Sequence, residues 1–166
     1  MNYQIYCDGS CRGNGTQQSA GAYGFVIYDG DKKVVEYVNS VNDTTNQRME
    51  LMACISSLDF ITSQSNYMAT DTKIDVFTDS AYLHNCITQK WYINWLKNGW
   101  VNAKKQPVAN SDLWKRLIPY FNDTKILFNK VKGHADNEKN NYVDMLVQKA
   151  SQRLKDEKFN SNSTSL

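Results

Sequence analysis

Proline is nearly absent from this chain of 166 residues, with two in all, and glycine occurs only eight times. A collagen-like repeat is thereby excluded, as is a Pro/Gly-rich disordered chain. Histidine is as scarce, with two copies, and neither stands at finger-like spacing from the cysteines, so no zinc site is expected. The four cysteines, Cys7, Cys11, Cys54 and Cys86, read as reduced thiols of a cytosolic-type protein. A chain this long can bury roughly 70% of the surface it exposes when unfolded, so it needs neither disulfides nor a structural metal to hold a core. No apolar run approaches the roughly 20 residues of a membrane span. The opening MNYQIYCDGS lacks the basic cap and apolar stretch of a secretory signal. The expectation is one domain in the cytoplasm, a monomer with no membrane partner.

Charge of one sign is also missing overall, since the formal net charge is +2. Its distribution is uneven. Residues 1–83 hold 5 Lys/Arg against 10 Asp/Glu, whereas residues 84–166 hold 14 against 7. An acidic cluster in one half and a surface for a polyanion in the other would produce this split; so would ordinary variation of surface charge along a chain.

Tyr3, Ile5 and Cys7 alternate and read as a strand that ends at Asp8-Gly9-Ser10, followed by a polar loop to Ala20. Ala22 to Tyr28 and Lys33 to Val41, joined by the turn signal Asp29-Gly30-Asp31, complete an antiparallel meander. Leu51, Ile55 and Leu58 recur at helical spacing and predict a helix over about 46–62. A short strand, Lys73 to Thr78, precedes Asp79-Ser80, which can cap a helix through Leu83 and Ile87. Residues 90–110 are aromatic and basic. Ser111-Asp112 can cap a helix through Leu113, Leu117 and Phe121; Ile126 to Val131 is a fifth strand. Val143, Leu146, Val147, Ala150 and Leu154 mark a last helix, and the chain from Phe159 reads as a frayed tail. The order β-β-β-α-β-α-α-α-β-α predicts an α/β fold, a mixed sheet flanked by helices.

Asp8 and Asp79 stand where strands end, the place where sites gather in such sheets. Glu50 precedes Leu51 and Met52 at the border of a buried face, and Asp144 lies beside Val143 in the same way. Two like charges about 4 Å apart repel by roughly 4 kcal/mol at an effective dielectric of 20, so converging acids call for protons or cations. Oxygen-only ligands favour Mg²⁺ or Mn²⁺. Taken singly, each acid is better read as a helix cap, a turn residue or a solvated charge. Asp29, Asp31 and Asp59 read as turn or surface acids.

Five motifs change that balance. Asp8-Gly9-Ser10-Cys11, Thr44-Thr45-Asn46-Gln47-Arg48-Met49-Glu50-Leu51, Thr78-Asp79-Ser80, Gly99-Trp100, and Val131-Lys132-Gly133-His134-Ala135 with Asp144 occur in this order. Together they resemble type 1 ribonuclease H over residues 2 to about 154. The resemblance implies the ribonuclease H fold, a five-stranded mixed sheet whose first three strands are antiparallel. It implies residues 1–155 as the catalytic domain and 156–166 as a flexible tail. The implied activity is endonucleolytic hydrolysis of the RNA strand of an RNA–DNA hybrid, leaving 5′-phosphate and 3′-hydroxyl ends.

On the same basis Asp8, Glu50, Asp79 and Asp144 would be catalytic acids holding two Mg²⁺ with substrate, Mn²⁺ being an alternative. One ion would prepare the attacking water and the other would stabilise the leaving oxygen. His134, otherwise a solvated loop residue, would assist proton transfer or product release. Cys11, Arg12, Gly13 and Asn14, with Asn46 and Gln47, would read the minor groove and its 2′-hydroxyls, with helix capping as the alternative for Asn46, a role that can coexist with the first. Thr45, Tyr82, Trp91, Trp95, Lys104, Lys105 and Asn110 would follow the DNA strand, with core packing as the alternative for Trp91 and Trp95, and core packing favoured for Trp100. The chain departs from the family twice: the loop between Cys11 and Tyr23 is longer, and Asn140-Asn141-Tyr142-Val143-Asp144 lacks the frequent glutamate. A non-catalytic hybrid binder and another nuclease on the same fold are the rival readings.

Overall fold

The computed structural model describes residues 2–14, 16, 18–64, 71–132 and 137–164. Strands β1 (Asn2–Arg12), β2 (Ala20–Asp29), β3 (Lys32–Asn42), β4 (Lys73–Thr78) and β5 (Ile126–Lys130) form one sheet. Helices α1 (Asn46–Thr62), α2 (Ala81–Thr88), α3 (Trp91–Lys97), α4 (Ser111–Phe121) and α5 (Glu138–Thr164) complete the chain. The sheet order is β3-β2-β1-β4-β5. β1 pairs antiparallel with β2 and parallel with β4, β2 pairs antiparallel with β3, and β4 pairs parallel with β5. The expected element order and the antiparallel meander are both present.

Helices cover both faces of the sheet centre, which is why β2 is buried from Ala20 to Tyr28 instead of alternating. Ile5, Cys7, Phe25 and Ile27 pack with Leu51, Ile55, Leu58 and the fully buried Trp114. On the other face Tyr6, Ala22 and Val26 pack with Val143 and Val147 of α5. Thr45 caps α1 by accepting the Arg48 N–H at 3.2 Å, so Asn46 is the first helical residue and not the cap.

Three local readings differ from the structure. β1 does not stop at Asp8-Gly9-Ser10: its ladder with β2 continues to Arg12↔Ala20, while its ladder with β4 ends at Tyr6↔Phe77. Gly9 and Ser10 look like loop residues in sequence, but the antiparallel partner continues to satisfy their backbone groups. The α4 cap is Asn110, with left-handed φ 61, and not Ser111 or Asp112; asparagine tolerates that conformation, and Asp112 is engaged by Arg48 instead. The last helix also does not fray at Phe159. It runs to Thr164, with no glycine or proline to break it and with Gln152 donating to Asp156 at 2.8 Å one turn on.

Between Lys90 and Asn110 the chain is irregular. Four of the five described non-glycine residues with positive φ fall here: Lys90, Trp100, Lys105 and Asn110. Local bonds organise the segment, Trp100 N–H to Trp95 O at 2.8 Å, Val108 N–H to Trp100 O at 3.0 Å and Asn102 N–H to Gln106 O at 2.8 Å.

Candidate active site

Asp8 stands on β1 beyond the last rung shared with β4, opposite Gly24 of β2. It has the parity of Tyr6, so its side chain belongs to the α5 face. Asp144 approaches from that face, in the first part of α5, next to the buried Val143. Asp79 directly follows Thr78, the last residue of β4. Glu50 comes from α1 on the opposite face.

Gly9 makes that last approach possible. It has the opposite parity to Asp8 and faces α1, where a Cβ would lie 2.5 Å from the Met49 carbonyl oxygen and closer still to the Met49 carbonyl carbon and the Glu50 nitrogen. Only a residue without a side chain lets the α1 backbone rest on β1 here. The contact is therefore part of what sets Glu50 beside Asp8.

Asp8 is buried, and its Oδ2 has no hydrogen-bond partner among the described residues. Its burial, then the charge of Asp79, then the carboxyl of Asp144 push its pKa up to about 10. Without a cation beside it, Asp8 holds a proton at neutral pH. Glu50 is raised as well, first by burial and also by Asp79; the Ser80 hydroxyl, which donates to Glu50 Oε2 at 2.6 Å, pulls the other way. The same hydroxyl accepts the Leu83 N–H at 3.1 Å and caps α2. Gln148 donates to Asp144 Oδ1 at 3.5 Å and accepts from Arg12 Nη2 at 3.1 Å. Asp79 and Asp144 thus act on Asp8, and Asp79 also acts on Glu50, the four acids coming from β1, α1, α5 and the residue after β4. Among the described residues no three acids, histidines or cysteines enclose an ion by themselves. His134 lies outside the described residues.

The two segments proposed to read a minor groove are tied to each other. Cys11 N–H donates to Asn46 Oδ1 at 2.6 Å, and Asn46 N–H donates to Asn14 Oδ1 at 2.8 Å. Gly13 is left-handed and exposed, and Gln47 is exposed. Arg12 Nε is buried without a partner among the described residues. Thr45 and Asn110 meet at Arg48, which donates to Asn110 Oδ1 at 3.2 Å and to both Asp112 oxygens at 3.0 and 2.8 Å. Tyr82 turns inward: its hydroxyl accepts from Trp114 Nε1 at 3.0 Å and Asn110 Nδ2 at 3.3 Å.

Rings link the rest. Trp114 is 5.6 Å from Trp95, which lies 6.4 Å from Trp91 and 5.9 Å from Trp100. Trp91, Trp95 and Trp100 are half-buried, packing on the core while keeping one side in solvent; Lys104 and Lys105 are exposed. Sequence reasoning missed Ser80 as a partner of Glu50, the Gly9 contact, Arg48 and Gln148. Ser80, Gly9 and Arg48 carried a signal, as members of the Thr78-Asp79-Ser80, Asp8-Gly9-Ser10-Cys11 and Thr44–Leu51 motifs; Gln148 carried none.

The sequence model for RNase H matches residues 1–152. The chain belongs to the RNase H family. A ribonuclease H of Clostridium botulinum (strain Hall) is 43% identical over 146 residues, spanning 88% of this chain and 93% of that one. A ribonuclease H of Syntrophomonas wolfei is 42% identical over 150 residues, 90% of this chain and 96% of that one. Among solved structures, LC9-RNase H1, a type 1 RNase H with the type 2 active-site motif, superposes with a TM-score of 0.73 at 27% identity, covering 92% of this chain and 73% of that one. The sheet order and the antiparallel first three strands are those expected of an RNase H fold.

Proposed function

We propose that this chain is an endoribonuclease that hydrolyses the RNA strand of RNA–DNA hybrids, leaving 5′-phosphate and 3′-hydroxyl ends. The observation that carries the reading is the linkage of Asp8 to Asp79 and Asp144 and of Glu50 to Asp79, with a buried Asp8 oxygen that has no partner among the described residues. These residues fit a hard divalent cation, because the donor set is all carboxylate oxygen and its mutual repulsion falls once positive charge is present. Bound there, two Mg²⁺ or Mn²⁺ ions supply Lewis-acid stabilisation of charge on phosphate oxygens and lower the pKa of a water.

The chain's own residues do the positioning. Ser80 orients Glu50 through its hydrogen bond to Oε2 and opposes the upward push of burial and Asp79 on its pKa. Asp8 would release its proton to solvent if a cation engaged its carboxylate. Asn46 commits its Oδ1 to Cys11, which leaves Nδ2, without a partner among the described residues, to donate to a base edge or a 2′-hydroxyl. Cys11 to Asn14 and Gln47 line the same side. Thr45, Asn110 and the half-buried faces of Trp91 and Trp95 serve the DNA strand, with Lys104 and Lys105 tracking phosphates; Tyr82 buttresses Asn110 from behind. His134 would aid product release. Residues 1–155 are read as the catalytic domain, acting as a monomer in the cytoplasm; no helix among the described residues is long and apolar enough to cross a membrane.

The test is one labelled RNA offered as hybrid, as duplex RNA and as single strand, with Mg²⁺, Mn²⁺ or chelator. Only the hybrid should be cut, and only with a divalent cation. Asp79→Asn should nearly abolish cleavage while hybrid binding survives. Cleavage by that variant at the wild-type rate overturns the assignment, and binding without cleavage by the wild type leaves a hybrid-binding module.

A further inference from the structure

The family match ends at residue 152, yet α5 continues to Thr164. Lys158 lies on this extension, about four turns beyond Asp144, and its side chain is only 25% exposed. Its ammonium donates to the Ser19 carbonyl at 2.7 Å and stands 3.6 Å from Asp43 Oδ1.

Ser19 is a fully buried node. Its carbonyl also accepts the Asp43 N–H at 3.2 Å, and its hydroxyl accepts the Thr44 N–H at 2.8 Å. Its own N–H donates to Thr16 O at 3.2 Å, and Thr16 N–H donates in turn to Gly13 O at 3.0 Å. Ser19 therefore fastens the end of the β1–β2 loop to the connection that leads into Thr45 and Asn46.

We propose that Lys158 is a positioning residue that clamps this junction and so holds the Cys11–Asn14 and Asn46–Gln47 segments in register for the hybrid. The inference rests on the reading of those segments as hybrid contacts. The bonds of Lys158 go to Ser19 and Asp43, and its charge also reaches the Cys11 thiol. It acts through Ser19 and Asp43, the latter held at left-handed φ 54. Removing the ammonium leaves the Ser19 carbonyl with the Asp43 N–H, and Asp43 with water, so no buried group is orphaned and the fold survives. What is lost is the charge-assisted bond that fixes where the junction sits.

The experiment compares Lys158→Met, which keeps the aliphatic stem, with Lys158→Arg and with Lys155→Met, which removes an exposed charge from the same helix. KM and kcat on the hybrid are measured, together with hybrid affinity in chelator and the midpoint of thermal unfolding. Lys158→Met should raise KM and weaken chelator-phase binding by about tenfold, with kcat and thermal midpoint little changed. Lys158→Arg should recover most of the loss, and Lys155→Met should behave as wild type. Asn46→Ala serves as the reference for the underlying reading. A raised KM in Asn46→Ala with an unaltered KM in Lys158→Met overturns the clamp. Unaltered KM in both overturns the assignment of the reading segments themselves. A fall in kcat that follows a fall in thermal midpoint, without rescue by arginine, reduces Lys158 to a structural residue and also overturns the proposal.

Discussion

Replacing Gly9 with alanine tests the link between strand geometry and chemistry at one atom. The added Cβ would stand 2.5 Å from the Met49 carbonyl oxygen, and nearer to two other backbone atoms. Ordinary contact begins near 3.5 Å, so β1 and α1 must separate by about 1 Å. Neither partner is a flexible side chain, and the atoms in the way belong to the helix that carries Glu50. Overpacking of this kind costs about 1–3 kcal/mol of stability. The larger effect should fall on catalysis, because moving a reacting group by about 1 Å costs roughly a hundredfold in rate. The assay is kcat on a labelled hybrid at saturating Mg²⁺, beside thermal unfolding of the same preparation. Gly30→Ala is the control: unlike Gly9 it has a positive φ, at +64, but a Cβ there meets nothing within 4 Å. It should lose about 1 kcal/mol from backbone strain and keep its kcat. A folded Gly9→Ala enzyme with kcat within about twofold of wild type would refute the reasoning.

Two further outcomes follow from the site's charges and surface. In chelator, the folded chain keeps a proton on Asp8 between the ordinary carboxylate value of 3.8 and about 10, a range in which the unfolded chain has released it. Stability should therefore fall as pH rises through that window, by up to about 1.4 kcal/mol per pH unit for one proton, and Asp8→Asn should flatten the slope; an equal slope in the variant defeats the claim. Neutralising the exposed Lys104 and Lys105 together should weaken hybrid binding and reduce the salt slope of log K by about one to two, whereas an unchanged slope removes both from the interface.

The element order was legible because it depends on nearby residues. Leu51, Ile55 and Leu58 announce α1 without help from the rest of the chain, and Val143, Val147 and Ala150 do the same for α5. What failed depended on partners far away. Gly9 and Ser10 read as loop until β2 continues beside them. Asn110 becomes the α4 cap while Arg48, 62 residues earlier, occupies its side chain. The polar run after Leu154 reads as a tail because Ser19, 139 residues before Lys158, is invisible to it. The acids were legible as a motif but not one by one. Asp8 differs from Asp59 in sequence only by its neighbours, and in space by a burial that Asp59, bonded at the surface to Arg116 and Tyr120, does not share.

The left-handed residues between Lys90 and Asn110 give the two sides of the molecule different stiffness. Each costs about 1 kcal/mol where a side chain is present, and the segment is held by its own turns and stacked rings instead of sheet rungs. Its amides should exchange ahead of those in β1 and β2, as a separate opening unit. The opposite side is cross-tied through Asn46 and Ser19 to the most buried strands. If the two sides meet the strands as proposed, the strand kept is gripped by a compliant arm and the strand cut by a rigid one. Variation in duplex width would be taken up on the DNA side, leaving the spacing of the four carboxylates undisturbed.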